Sequence, residues 1–202
     1  MDRINCVYKM GRALTSVYFR TRYDLKFEGD LPKPPFVLLP KHQKYQDIIL
    51  EGIFIHNRLK APAYWIMRPL PLKFLLEMYG GIVIARAKEI KKGKYDKEEG
   101  KQINQKAIQK TLDELKKGEI IVIHPEGTRS PNKMRSIRIA KDSVIDYVIK
   151  EENGELLPFV PLGIQYDGKN ITLRAGQPIF TKETGELEEK ISKELAILSN
   201  IH

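Results

Sequence analysis

Apolar residues along the chain fall into short strand-like runs alternating with longer helix-like stretches. Ile4, Val7, Tyr8, Leu14, Val17 and Tyr18 recur at helical spacing and predict an amphipathic helix over residues 1–20. Phe36 to Leu39 is a short apolar run behind Pro34 and Pro35 and predicts a buried strand. A helix over 46–58 follows, with Ile48, Ile49, Ile53 and Phe54 on its apolar side. Ala63 to Met67 reads as a strand, Leu72 to Tyr79 as a short helix ended by Gly80 and Gly81, and Ile82 to Ile84 as another buried strand.

Lys88 to Lys101 is highly charged, holds Gly93 and Gly100, and predicts an exposed loop. Beyond it, Ile103, Ala107, Ile108, Leu112 and Leu115 share one helix face, which Gly118 terminates. Ile120 to Ile123 gives the clearest buried strand. A helix near 140–151, strands over 158–166 and 171–175, and a closing helix marked by Leu187, Ile191, Leu195 and Leu198 complete the pattern. Such alternation predicts an α/β fold: a single domain with a mixed, largely parallel sheet flanked by helices. The expected division is an amphipathic helix over 1–22 and one domain over 23–202.

Composition narrows what such a domain could do. Lys and Arg number 35 against 26 acidic residues, a net charge of +9 that favours anionic partners such as phosphorylated substrates, nucleic acid or acidic headgroups; solubility alone would also account for it. The longest stretch without a charged residue, Leu156 to Tyr166, is far short of the roughly 20 apolar residues of a spanning helix. A membrane role would therefore be peripheral. In the first helix Arg3, Lys9, Arg12, Arg20 and Arg22 are opposed only by Asp2, which suits a bilayer interface and equally a helix packed on its own domain. Cys6 is the one cysteine, which excludes an intrachain disulfide and a cysteine-based zinc cluster and agrees with a reducing cytoplasm.

Two polar clusters follow predicted strand ends, where open α/β sheets place ligands. The first runs from His42 to Asp47. With His42 in the strand-to-helix turn, Asp47 in the first helical turn can reach back to the imidazole, hold one ring nitrogen and leave the other to take a proton. Taken singly, the pair reads as well as a surface histidine and a helix-favouring acid. The second cluster runs from His124 to Ser130: Gly127 permits a tight turn, Arg129 offers a fork suited to phosphate oxygens, and Glu126 can orient a donor. Taken singly, it reads as a turn with a salt bridge.

Together, and in this order, the clusters resemble the glycerophospholipid acyltransferase family typified by 1-acylglycerol-3-phosphate acyltransferase. The family's first block, Asn/Ser-His-x-Ser-x-x-Asp, is met by His42 and Asp47; its third, Phe-Pro-Glu-Gly-Thr-Arg-Ser, by Pro125 to Ser130. Gly80 to Ile84 with Arg86 is similar to the second block, Phe159 to Gly163 with Pro161 to the fourth, and Gly176 to Ile179 to a weaker tail pattern. Departures stand at Lys41, Lys44, Ala85 and His124, and the expected Phe-Lys-x-Gly stretch appears only as Ala140 to Ser143.

The resemblance implies that His42 is the general base and Asp47 its orienter. It further implies that Arg86 and Arg129 hold the acceptor's phosphate, that Glu126, Gly127 and Thr128 shape its pocket, and that Lys141 assists. The implied reaction moves a fatty acyl group from acyl-CoA or acyl-carrier protein to lysophosphatidic acid, giving phosphatidic acid in phospholipid biosynthesis at the cytoplasmic face of the membrane. No metal or other cofactor is expected, and no nucleic acid. Glycerol 3-phosphate or another lysophospholipid is an alternative acceptor, and a non-catalytic basic module binding membrane or nucleic acid the alternative of another class. The mechanism requires the His42 ring to face the Glu126–Arg129 turn, and backbone N–H groups at the start of the following helix are candidate oxyanion donors. His56 is expected in a capping or surface role, and Trp65 and Met67 as core.

Overall fold

The computed structural model describes residues 13–68, 80–150 and 156–201. Residues 13–22 are helical (α1), followed by β1 (Asp24–Glu28), β2 (Phe36–Pro40), α2 (Asp47–Leu59), β3 (Ala63–Met67) and β4 (Gly81–Val83). Then come α3 (Ala87–Lys91), α4 (Lys97–Lys116), β5 (Ile120–Val122), α5 (Val144–Lys150), β6 (Phe159–Asp167), β7 (Asn170–Ala175) and α6 (Thr184–Leu198). The helix expected over 72–79 and the first dozen residues of the N-terminal helix lie outside the described residues.

The strands form one seven-stranded sheet in the order β1-β7-β6-β2-β5-β3-β4. Only the β6–β7 pairing is antiparallel, so β4, β3, β5, β2 and β6 run one way and β7 and β1 the other. This is the predicted mixed, mostly parallel sheet. Helices cover both faces, which is why β2 at its centre is buried at every position. Because side chains alternate across a strand, Phe36 and Leu38 pack with α1 and α2, around Phe19, Leu50 and Phe54. Val37 and Leu39 point the other way, towards Leu112 of α4, Val148 of α5 and the Leu187, Ile191 and Leu195 row of α6.

One expectation is corrected, and one strand is added. The charged stretch from Lys88 to Lys101 is not a loop, because α3 and the first turn of α4 occupy most of it. Asp96 caps α4 by accepting from the Glu99 N–H at 2.7 Å, and Glu98 and Glu99 complement the helix dipole there. Gly100 is a packing residue: a Cβ at this position would stand 2.6 Å from Ile90 Cδ1. The added strand is β1, which the apolar pattern does not predict; its burial alternates, and it pairs in parallel register with β7 at the sheet edge.

At the other end of the chain α6 lies flush on β6. A Cβ on Gly163 would sit 2.4 Å from the backbone carbonyl carbon of Leu198, so only glycine admits this approach. Ser199 Oγ, just past the helix, accepts from the Ile164 N–H at 3.3 Å.

Candidate active site

The parallel strands β2, β4 and β5 end on one edge of the sheet, and the polar clusters of the sequence collect there. β2 stops at Pro40, and Lys41 N–H still bonds the Leu162 carbonyl of β6 before the chain turns into α2. His42 lies in that turn, and Asp47 is the first residue of the helix.

The Asp47 carboxylate is fully buried. His42 Nδ1 is 2.9 Å from its Oδ2, which also accepts from the N–H groups of Gln43 at 2.6 Å and Lys44 at 2.7 Å. Tyr166 of β6 donates its hydroxyl to Oδ1. Burial, and then the neighbouring Asp47 charge, push the Tyr166 phenol well above its ordinary value, so it stays a donor. A carboxylate surrounded in this way is acceptor-only, which assigns the proton to His42 Nδ1 and leaves the Nε2 lone pair free to take another. The N–H groups of Gln43 and Lys44 are committed to Asp47, which removes them from the candidate oxyanion donors.

β5 leads into the second cluster. The His124 ring stacks on that of His42, with centroids 4.0 Å apart and planes at 29°. Its Nε2 meets Glu51 Oε1 at 2.9 Å, and Glu51 Oε2 accepts from Trp65 Nε1 at 3.0 Å. Asp47 and Glu51 are one helical turn apart on α2, so the same helix face braces both imidazoles. Burial pulls the His124 pKa down, but the charge and hydrogen bond of Glu51, with Asp47 and Glu126 behind it, raise it above the ordinary 6.5.

Beyond Pro125, the turn has two differently used sides. Glu126 turns inward, where Lys41 Nζ meets its Oε2 at 2.6 Å with both side chains fully buried. Lys41 also donates to Ser130 Oγ at 2.7 Å and to the Ser130 carbonyl at 2.9 Å. Ser130 Oγ and the Arg135 N–H complete the shell around Glu126 Oε1. Burial lowers the Lys41 pKa while Glu126 opposes that shift. Ser130 N–H donates to the His42 carbonyl at 2.9 Å, so the turn is bonded directly to the residue carrying the candidate base.

Outside, Gly127 has φ +63°, a left-handed conformation that favours glycine, and Gly127 and Thr128 are exposed. Arg86, just past β4, reaches this side: Nη1 donates to the Gly127 carbonyl at 3.1 Å, while Nη2 and Nε hold Glu89 at 2.7 and 3.1 Å. Burial would raise the Glu89 carboxyl, but Arg86 outweighs it and holds the pKa below 4.5. The Arg129 guanidinium lies 3.3 Å from the centroid of the exposed Tyr45 ring, in the turn that carries His42.

The structure therefore brings His42, Asp47, Arg86, Glu126, Gly127, Thr128 and Arg129 to one edge, with the Glu126 carboxylate braced inside the turn. Lys141 is exposed, before α5, and no described contact ties it to this group. Residues 22–165 match the family model described as acyltransferase.

The chain belongs to the acyltransferase family. No curated protein gives a significant match to it. Membership makes the protein an acyltransferase-family enzyme, with acyl transfer in glycerolipid metabolism between an acyl donor and an acceptor. The matched span holds both clusters, and the mixed α/β sheet agrees with the family's fold. Among the described residues of this acyltransferase, no helix is long and apolar enough to cross a membrane.

Several neighbours of His42 escape sequence reasoning. Glu51 has a signal, since it stands one turn after Asp47, but Tyr166 reaches Asp47 across 119 positions and has none. Trp65 is core, as expected, yet its indole N–H also orients Glu51.

Proposed function

We propose that this acyltransferase moves a fatty acyl group from acyl-CoA or acyl-carrier protein to the free hydroxyl of lysophosphatidic acid. The observation carrying the reading is His42: its Nδ1 is bonded to the buried Asp47, and its backbone carbonyl is bonded to the turn that bears Arg129. His42 Nε2 takes the hydroxyl proton as that oxygen attacks the thioester carbonyl carbon. The tetrahedral oxyanion then collapses, the carbon–sulfur bond breaks, and the imidazolium returns its proton to the departing thiolate. The products are the ester and a free thiol. General-base help of this kind is typically about 10²–10⁴-fold.

Arg86 and Arg129 are the proposed phosphate ligands, since both guanidinium groups lie beside the open face of the 124–130 turn. Gly127 and Thr128 form its rim, Glu126 holds it from behind, and Lys141 is left as a secondary cation. Attachment is peripheral, at the cytoplasmic face: Leu14, Val17 and Tyr18 of α1 are exposed beside the basic residues of the same helix.

His42→Ala is expected to lower transfer by roughly 10²-fold or more while leaving the thermal unfolding transition in place. A fully active variant removes this mechanism. Offering lysophosphatidic acid, glycerol 3-phosphate and other lysophospholipids in vesicles to the wild-type protein tests the acceptor; a clear preference for any but the first removes the substrate named here. Flotation of the same vesicles reads attachment, and protein left behind by anionic vesicles argues against the α1 contact.

A further inference from the structure

The second imidazole has no part in the proton transfers above, yet it is the nearest ring to the base. Stacked at 4.0 Å, the two rings repel when both are charged, so the doubly charged pair is disfavoured at rest and is reached only briefly as His42 takes the substrate proton. Their carboxylates differ in how far their charge is already taken up. Asp47 is shared among His42, two backbone N–H groups and the Tyr166 hydroxyl. Glu51 has Trp65 Nε1 and His124 alone among the described hydrogen bonds. The less satisfied carboxylate draws a proton more strongly to its partner.

We propose that His124 is a positioning residue for the base: held as an imidazolium by Glu51, it keeps a second proton off the stacked His42 ring. This rests on His42 acting as the general base and deepens that reading. The raised affinity of His124 for its proton agrees with the assignment. Other charged or titratable groups stand on the elements around the rings. These are Lys41 after β2, Lys44 before α2, Glu126 and Arg129 in the turn after β5, Tyr166 on β6 and Arg86 beyond β4. Lys41 and Glu126 compensate one another at 2.6 Å, and Tyr166 remains a neutral donor. The uncompensated choice lies between the two stacked histidines. The consequence is a base that remains available at lower pH than it would beside an uncharged ring.

The test replaces the second pair as a unit, Glu51→Gln with His124→Phe, which removes both charges and retains an aromatic ring against His42. His124→Phe alone serves as the second variant. Ring-nitrogen NMR titration follows the His42 proton directly, and the pH profile of kcat/KM follows it through transfer. The double variant should bind the His42 proton about tenfold more tightly, moving its titration and the acid limb of the profile to higher pH together. An unchanged His42 titration in a folded variant overturns the proposal. A shifted titration in protein that acylates no lysophospholipid supports the coupling between the rings and rejects the acceptor proposed above instead.

Discussion

The inner and outer sides of the 124–130 turn are built from adjacent residues and treated in opposite ways. Inside, Glu126 and Ser130 close around Lys41, an ion pair wholly withdrawn from water. Outside, Arg86 and Arg129 are held by a carbonyl and an aromatic face, and Gly127 and Thr128 remain exposed. A buried pair has little net value compared with an apolar replacement, but breaking it leaves a stranded charge. Half-solvated guanidinium groups are under no such constraint and can exchange their present partners for an anion. The inner side fixes where the turn is; the outer side is the one proposed to bind phosphate.

That contrast can be broken most severely at Lys41. Lys41→Ala strands the Glu126 carboxylate and should destabilise the fold by about 3–5 kcal/mol. The combined Lys41→Met and Glu126→Gln replacement should recover most of this loss, and urea unfolding of both variants reads the difference. Equal losses in the two would mean that the ion pair does not brace the turn. On the outer side, Arg129→Ala should leave the unfolding midpoint nearly unchanged while raising KM for the phosphorylated acceptor roughly tenfold, the scale of one charged hydrogen bond. A variant with unaltered KM takes Arg129 out of the phosphate site.

The smallest effect is expected where His124 joins the two sides. Its proton is bound more tightly in the folded state, so the stability it adds is fully present below about pH 6.5 and is lost as pH rises through the raised folded value. The stability difference between wild type and the combined Glu51→Gln, His124→Phe variant, which strands no carboxylate, should therefore narrow from about pH 6 towards alkaline pH, as measured by thermal unfolding at about 1-unit steps. A gap that widens over that range contradicts the sign.

The buried strands and the two clusters are plain in the sequence, because short apolar runs such as Phe36 to Leu39 have no other use in an α/β sheet. Strand β1 is hidden by its charges: Asp24, Lys26 and Glu28 outnumber the alternating Leu25 and Phe27. Around Gly100, a glycine that permits close packing has the same letter as one that ends a helix. Lys41 is visible only as a departure from a motif, since its partner Glu126 is 85 positions away. His42 and Asp47 are legible because their bond is local; Tyr166 and His124, which complete the site, are brought in by the sheet.

The seam at Gly163 ties the last helix to the chemistry at the opposite side of the same strand. Ile164 donates its N–H to Ser199, and its carbonyl accepts from Gln43, whose own N–H bonds Asp47. A chain cut short before Leu198, or a bulky fusion joined there, would thus loosen a tether that reaches the carboxylate behind His42.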